Sequence, residues 1–228
     1  MLTLFIANKN YSSWSLRPWV LMTELGIPFE ERLVPFGGAE PNKFREFSPS
    51  GKVPCLLDGT TVVWDSLAIT EYLAEQDSSI WPQDRVARTW ARCAAAEMHS
   101  GFTHLRNLCT MNCGVRIRID PFPGELLADW GRIAELWSEG LSRFGGPFLA
   151  GNQFTAVDAF FAPVAFRAQT YSPPLPGDCQ RYVERILELP SMRKWYSDAL
   201  DETWREEHHE AEARRAGVWL SDLRQQES

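Results

Sequence analysis

Long apolar runs are missing from this sequence. No segment approaches the roughly 18 residues that a membrane-spanning helix needs, so nothing here is expected to cross a bilayer. Paired-cysteine spacing is missing too: the five cysteines, Cys55, Cys93, Cys109, Cys113 and Cys179, are odd in number and contain no C-x-x-C, against both a disulfide framework and a zinc site. Reduced thiols and no metal are expected. Cys109 and Cys113 stand one turn apart in a helical register, a spacing open to a shared metal but better suited to apolar packing. A chain of net charge −7 also lacks the basic stripe that a phosphate backbone requires, which excludes nucleic acid as a partner and obliges any anionic ligand to find a local positive pocket. No internal repeat or low-complexity block is present. The apolar start, Met1 to Ala7, has no basic flank and runs on into a structured pattern, so a cytoplasmic location is expected.

What is present is ample material for a core. The 228 residues, 44% hydrophobic and 23% charged, describe a soluble globular chain of one large or two modest domains. Leu2 to Ala7 reads as a buried strand, and a polar turn then opens a helix with Ser15 at its N-cap, Pro18 in its first turn and its end at Gly26. Phe29 to Val34 reads as a second strand, followed by a Gly-Gly loop and a short helical segment at Asn42 to Phe47. Cys55 to Leu57 and Thr61 to Trp64 make a hairpin about Asp58-Gly59, and Asp65-Ser66 opens a helix through Leu67 to Glu75. Residues 1–77 therefore read βαβαββα, a small α/β module. Beyond Arg85 the strand signals vanish. Helical patterns cover Ala87 to Met111, Gly124 to Phe144, Ala156 to Tyr171, Cys179 to Leu187 and Ser191 to Glu212, which makes 85–228 an all-helical domain.

Several stretches carry more chemistry than packing needs. "NYSSWSLR" gathers Tyr11, Ser12 and Ser13 where a strand hands over to a helix; as local chemistry these hydroxyls cap the helix and fill the turn. Asp65 and Ser66 sit at a second such junction, where free amides favour an anion. Phe154, Thr155 and Asp158 form a hydrophobic staple and capping box, a folding signal rather than a catalytic one. "EEHHEAEARR", Glu206 to Arg215, has adjacent histidines that cannot share one helix face, and reads as a solvated surface.

Four of these marks in register, "SSWSLR", "GKVPCL", "WDSLAITEYL" and "GNQFTAVDAFFAP", resemble the cytosolic glutathione transferases over essentially the whole chain. "SSWSLR" is similar to the S-S-x-S-x-R of the zeta class, which includes maleylacetoacetate isomerases. The resemblance implies a thioredoxin-like N-terminal domain that binds glutathione as co-substrate, an all-α C-terminal domain that holds a small electrophile, and a homodimer. A thiol of pKa about 8.5 is only slightly ionised at neutral pH, and the thiolate is the nucleophile. Ser12 is the thiolate donor by the zeta-like motif, and Ser13 by alignment on Arg17, with Tyr11 a third candidate. Val53 and a cis Pro54 would pair with the cysteinyl backbone of glutathione as an added strand. Ser66 would hold the γ-glutamyl carboxylate, Asp65 or a neighbouring carboxylate its amino group, and Lys52 the glycyl carboxylate. Met98, Ser100, Thr103 and His104 are implied for the acceptor pocket. The chain departs from the zeta pattern at two points: Trp14 takes the place of a cysteine, and Thr170 that of a substrate-binding arginine, although Arg167 lies one turn earlier. An isomerase and a non-enzymatic binding protein of the same fold are the alternatives. A thioredoxin-type oxidoreductase ranks lower because the active turn has no cysteine.

Overall fold

The computed structural model describes residues 1–37 and 42–224; Gly38 of the expected Gly-Gly loop and the last four residues of the expected second domain lie outside them. The N-terminal part runs β1 (Leu2–Ile6), α1 (Ser13–Glu24), β2 (Phe29–Leu33), a 3₁₀ turn (Lys43–Glu46), β3 (Cys55–Asp58), β4 (Thr61–Trp64) and α2 (Ser66–Ala74). Its sheet has the order β2-β1-β3-β4, with β1 parallel to β2 and antiparallel to β3. The parallel pair requires the crossover that α1 supplies, and the antiparallel pair β3-β4 closes as a hairpin. This is the expected thioredoxin-like module.

Helix α1 begins three residues earlier than expected, with Ser12 rather than Ser15 at the N-cap. The reason is a competing use for Ser15: its Oγ accepts the Ala7 amide at 3.3 Å and the Ser12 hydroxyl at 2.6 Å, tying the helix start to the end of β1.

The C-terminal part is α3 (Arg85–Ser100), α4 (Thr103–Leu108), β5 (Val115–Arg118), α5 (Gly124–Phe144), α6 (Ala156–Tyr171), α7 (Gly177–Glu188), α8 (Pro190–Asp201), α9 (Glu207–Ala216) and β6 (Val218–Asp222). Three expectations need correction. The long helix from Ala87 to Met111 is broken: Gly101 ends α3 where a Cβ would meet the Glu97 carbonyl oxygen at 2.9 Å, and Phe102 takes a left-handed conformation with φ 59°. Ser191 to Glu212 likewise divides into α8 and α9 around an extended stretch. The part is not purely helical either, because β5 and β6 pair antiparallel as a small second sheet. Among the described residues no helix is long and apolar enough to cross a membrane.

Helix α6 is buried along nearly its whole length and packs against α1, α3 and α7, so one apolar core runs through both parts. Its start is held by the expected capping box: Asp158 accepts the Thr155 amide at 3.0 Å, and also the Leu149 amide and the Tyr182 hydroxyl, each at 3.0 Å. Phe154 packs edge-on against Phe148. Lys9 adds an ionic tie, reaching Glu31 at 2.9 Å and Asp198 at 2.7 Å between the rings of Trp19 and Trp195. The N-terminus of α1 faces residues of α4, α6 and α9 across a common cavity.

Candidate active site

Two adjoining cavities share Trp14, Lys52 and Val53 as walls. The first, about 340 Å³, lies between the start of α1 and the C-terminal part; the second, about 410 Å³, lies over Pro54 and the start of α2.

In the second cavity the Val53-Pro54 bond is cis, and the Val53 amide and carbonyl make no hydrogen bond to any described residue. Asp65 stands at φ 77° and caps α2 through the Leu67 amide at 2.8 Å, while its other carboxylate oxygen lies 3.5 Å from His99 Nε2. Ser66 follows, fully buried, and its Oγ has no partner among the described residues. A buried hydroxyl left unpaired at a helix N-terminus is costly unless a ligand completes it. Lys52 is exposed at the rim.

The first cavity sorts the three hydroxyl candidates. Tyr11 donates to Glu210 Oε1 at 2.7 Å, and burial, followed by that carboxylate, pushes its phenol up, so this hydroxyl is committed to the protein. Ser12 is engaged with Ser15, donating through its hydroxyl and accepting the Ser15 amide at 3.4 Å. Ser13, the first residue of α1, lines the cavity and makes no side-chain hydrogen bond to a described residue. It is the one free hydroxyl of the three.

The opposite wall is cationic. Arg167 is buried on α6, its Nε donating to the Cys109 carbonyl at 2.7 Å while Nη1 has no partner among the described residues. Burial, then the like charge of Arg106, brings its pKa down to about 10. Arg106 is held by the carbonyls of Gly101 and Met98 at the break between α3 and α4. Its guanidinium lies 4.8 Å from the Trp14 ring, whose other close cation is Arg17 at 4.2 Å. Arg17 is wholly buried, with no hydrogen-bond partner for any of its three nitrogens among the described residues, and desolvation drives its pKa well down. This is the local positive pocket that an acidic chain needs in order to hold an anion.

The helical break also changes which residues line the first cavity. Met98 is fully buried in the core, Ser100 is exposed with its hydroxyl on the Ala96 carbonyl, and Thr103 and His104 are exposed; none of the four lines the cavity. Arg106, Thr110 and Met111 take their place because α4 restarts in a new register after Phe102. Thr170 is occupied by packing, donating to the Asn112 carbonyl at 3.0 Å, whereas Arg167 does reach the cavity. His209 corrects a second expectation. His208 is the solvated member of the histidine pair, while His209 turns inward and lines the cavity. Sequence could have raised it: adjacent histidines necessarily face different sides of a helix, so one of the two can face inward. Cys109 and Cys113 pack in the core on separate segments, not on one helix.

The sequence model of the glutathione S-transferase N-terminal domain matches residues 11–76, and that of the C-terminal domain matches residues 124–198. A probable maleylacetoacetate isomerase of Caenorhabditis elegans is 25% identical over 208 residues, covering 86% of this chain and 92% of that protein. The fold is similar to that of a glutathione transferase homolog from Burkholderia, solved with bound glutathione, at a TM-score of 0.66 and 24% identity over 87% of this chain and 97% of that one. It is also similar to the theta class glutathione S-transferase of Xanthomonas axonopodis pv. citri, solved with glutathione, at a TM-score of 0.62 and 23% identity over 86% and 96%. The chain belongs to the glutathione S-transferase family of transferase enzymes, with that family's thioredoxin-like domain followed by its helical domain.

Proposed function

We propose that the chain binds reduced glutathione across the two cavities, ionises its thiol at Ser13 and directs the thiolate at an electrophile held by residues 85–228. The observation that carries the reading is the set of unpartnered polar groups facing those cavities: the Val53 backbone, the Ser66 hydroxyl and the Ser13 hydroxyl. Val53 supports strand-like pairing with the cysteinyl unit, Ser66 at the start of α2 suits the γ-glutamyl carboxylate, and the Asp65 carboxylate oxygen that faces His99 suits its amino group. Lys52 is left for the glycyl carboxylate. Lowering a thiol from pKa about 8.5 by roughly two units takes about 2.7 kcal/mol. A hydroxyl donor to a charged acceptor supplies about 1.5–3 kcal/mol, and a helix N-terminus about 0.3–1 kcal/mol. The two together supply about 1.8–4 kcal/mol, a range that contains the requirement.

Two tests apply. Calorimetry with millimolar glutathione is expected to show binding, and an ultraviolet titration of the complex a thiolate at neutral pH; absence of either overturns the reading. The homodimer and the cytoplasmic location implied by the resemblance belong to the same proposal, and sedimentation of the full chain measures the first.

A second reading concerns the acceptor. Arg106 and Arg167 in one cavity favour an electrophile that carries a carboxylate, as an isomerase of the maleylacetoacetate type would require. Isomerisation uses the same thiolate as a nucleophile that adds and then leaves. Incubation with maleylacetoacetate separates the two: conversion with glutathione regenerated supports isomerisation, and consumption of glutathione supports transfer.

A further inference from the structure

Helix α9 brings a histidine to the cavity in an arrangement that packing alone does not call for. The His209 ring lies between two aromatic rings, stacked on Tyr11 with centroids 5.0 Å apart and tilted against Phe36 at 5.0 Å. Its Nδ1 lies 2.6 Å from the Glu206 carboxylate, which also accepts the His209 amide at 2.8 Å as the N-cap of α9. Burial alone would push the Glu206 carboxyl up, but the hydrogen bonds from His209 outweigh it and keep it below its usual range, so the partner at Nδ1 is ionised. A carboxylate at Nδ1 fixes the tautomer and leaves Nε2 as the working nitrogen. Tyr11 is fixed in turn by Glu210 and Arg224, so the platform beneath the imidazole does not depend on a mobile side chain. His209 and Ser13 line the same cavity. Nucleophile site, imidazole and orienting carboxylate follow the logic of activated-nucleophile sites, although here the nucleophile belongs to the co-substrate.

We propose that His209 is the proton-transfer residue of this site and that it fits the enzyme to electrophiles whose addition product must gain a proton, above all alkenes conjugated to a carbonyl. This rests on the thiolate reading given above. The thiol proton passes to Nε2, and Ser13 holds the sulfur anion. A sulfur lone pair forms the C–S bond at the β-carbon, and the alkene electrons move onto the carbonyl as an enolate. The imidazolium at Nε2 then returns its proton to that enolate. One S–H bond and one carbon–carbon π bond are consumed, one C–S and one C–H bond are formed, and His209 ends neutral with no outside oxidant or reductant. Displacement of chloride from an aromatic ring differs at the last step, because the halide departs as an anion and needs no proton.

The test compares kcat/KM for glutathione addition to crotonaldehyde with that for chlorodinitrobenzene, in the native chain, His209→Asn and Glu206→Gln. Glutathione binding is followed by calorimetry in all three. General acid–base transfer contributes roughly 100-fold or more, so His209→Asn is expected to lower the ratio of the two rates about 100-fold. Glu206→Gln keeps an acceptor for the helix cap but removes the carboxylate that orients the imidazole, and is expected to lower the ratio about 10-fold, the scale on which losing a hydrogen-bonded partner of a functional histidine acts. The Glu206 variant alone decides the matter should the His209 variant fail to fold. Ratios unchanged in both variants, or a native chain that binds glutathione yet does not add it to crotonaldehyde, overturn the assignment of His209. A native chain that binds no glutathione overturns instead the reading on which it rests.

Discussion

Replacing Ser12 and Ser13 one at a time separates a structural hydroxyl from a chemical one. Ser12 caps α1 and donates to Ser15, and Ser15 in turn accepts the Ala7 amide, so Ser12→Ala removes a cap worth about 1 kcal/mol. For a chain of this size that lowers the thermal midpoint by about 2–4 °C. The Ser13 side chain makes no hydrogen bond to a described residue, and Ser13→Ala is expected to leave the midpoint where it was. The thiol responds in the opposite order. Loss of a donor worth about 1.5–3 kcal/mol to a charged acceptor, at 1.36 kcal/mol per unit, raises the pKa of bound glutathione by about 1–2 units. From a bound thiol of pKa about 6.5, about three-quarters ionised at pH 7, the thiolate fraction then falls roughly 3- to 25-fold in Ser13→Ala and little in Ser12→Ala. Ultraviolet titration of each saturated complex, paired with thermal unfolding followed by circular dichroism, gives both numbers. A thiolate lost in Ser12→Ala but kept in Ser13→Ala refutes the reasoning, because it means that the Ser12–Ser15 bond opens when the ligand arrives.

Other perturbations probe the frame and the cationic wall. Arg224 bonds Glu210 at 2.9 Å and Asp222 at 2.6 Å, and Arg224→Met would strand the buried Glu210, costing about 3–5 kcal/mol. The thermal midpoint is expected to fall by about 6–20 °C, and a fall under about 3 °C contradicts the assignment of this pair as a structural lock. Burial alone would push the Glu210 and Asp222 carboxyls up, but Arg224 holds both below their usual range. Their stabilisation is complete above about pH 4, where the unfolded carboxylates titrate, and is lost as pH falls through the lower folded values. Arg224→Met is therefore expected to flatten the acid limb of a stability-versus-pH curve. Asp158→Asn retains shape but leaves at least one of the Leu149, Thr155 and Tyr182 donors unmatched, for a loss of about 1–3 kcal/mol in denaturant unfolding; an unchanged midpoint refutes it. Arg167→Met is expected to raise KM for carboxylate-bearing acceptors about 10- to 100-fold relative to neutral ones, and equal shifts for both classes contradict the anionic-acceptor reading.

What could be read from the residues was local. The span of α6, Ala156 to Tyr171, follows from a capping box at its head and an unbroken apolar run, both written within the segment itself. The strands β1, β3 and β4 were legible for the same reason. The pairing of β5 with β6 was not, because each is only a few residues long and its partner lies about a hundred positions away. "VRIRID" nonetheless alternates with period two, and that signal was available. The division of the long helix turned on the path the chain takes past Phe102, which no periodicity count registers, and with it went Met98, Ser100, Thr103 and His104. Arg106 and His209 stayed hidden because their value comes from where α4 and α9 are docked. The choice between Ser12 and Ser13 rests on which hydroxyl the protein has already engaged, and that depends on where α1 begins.

The contact between Tyr11 and the Glu210–Arg224 pair joins positions 199 and 213 residues apart. A ribosome adding about 5–20 residues per second needs roughly 10–40 s to span that interval. The N-terminal sheet and α1 contain all their own strands long before then, yet the platform under His209 cannot close until Arg224 has cleared the exit tunnel. Nascent chains halted anywhere short of β6 should thus present a folded amino-terminal module whose cleft lacks the contact that steadies Tyr11.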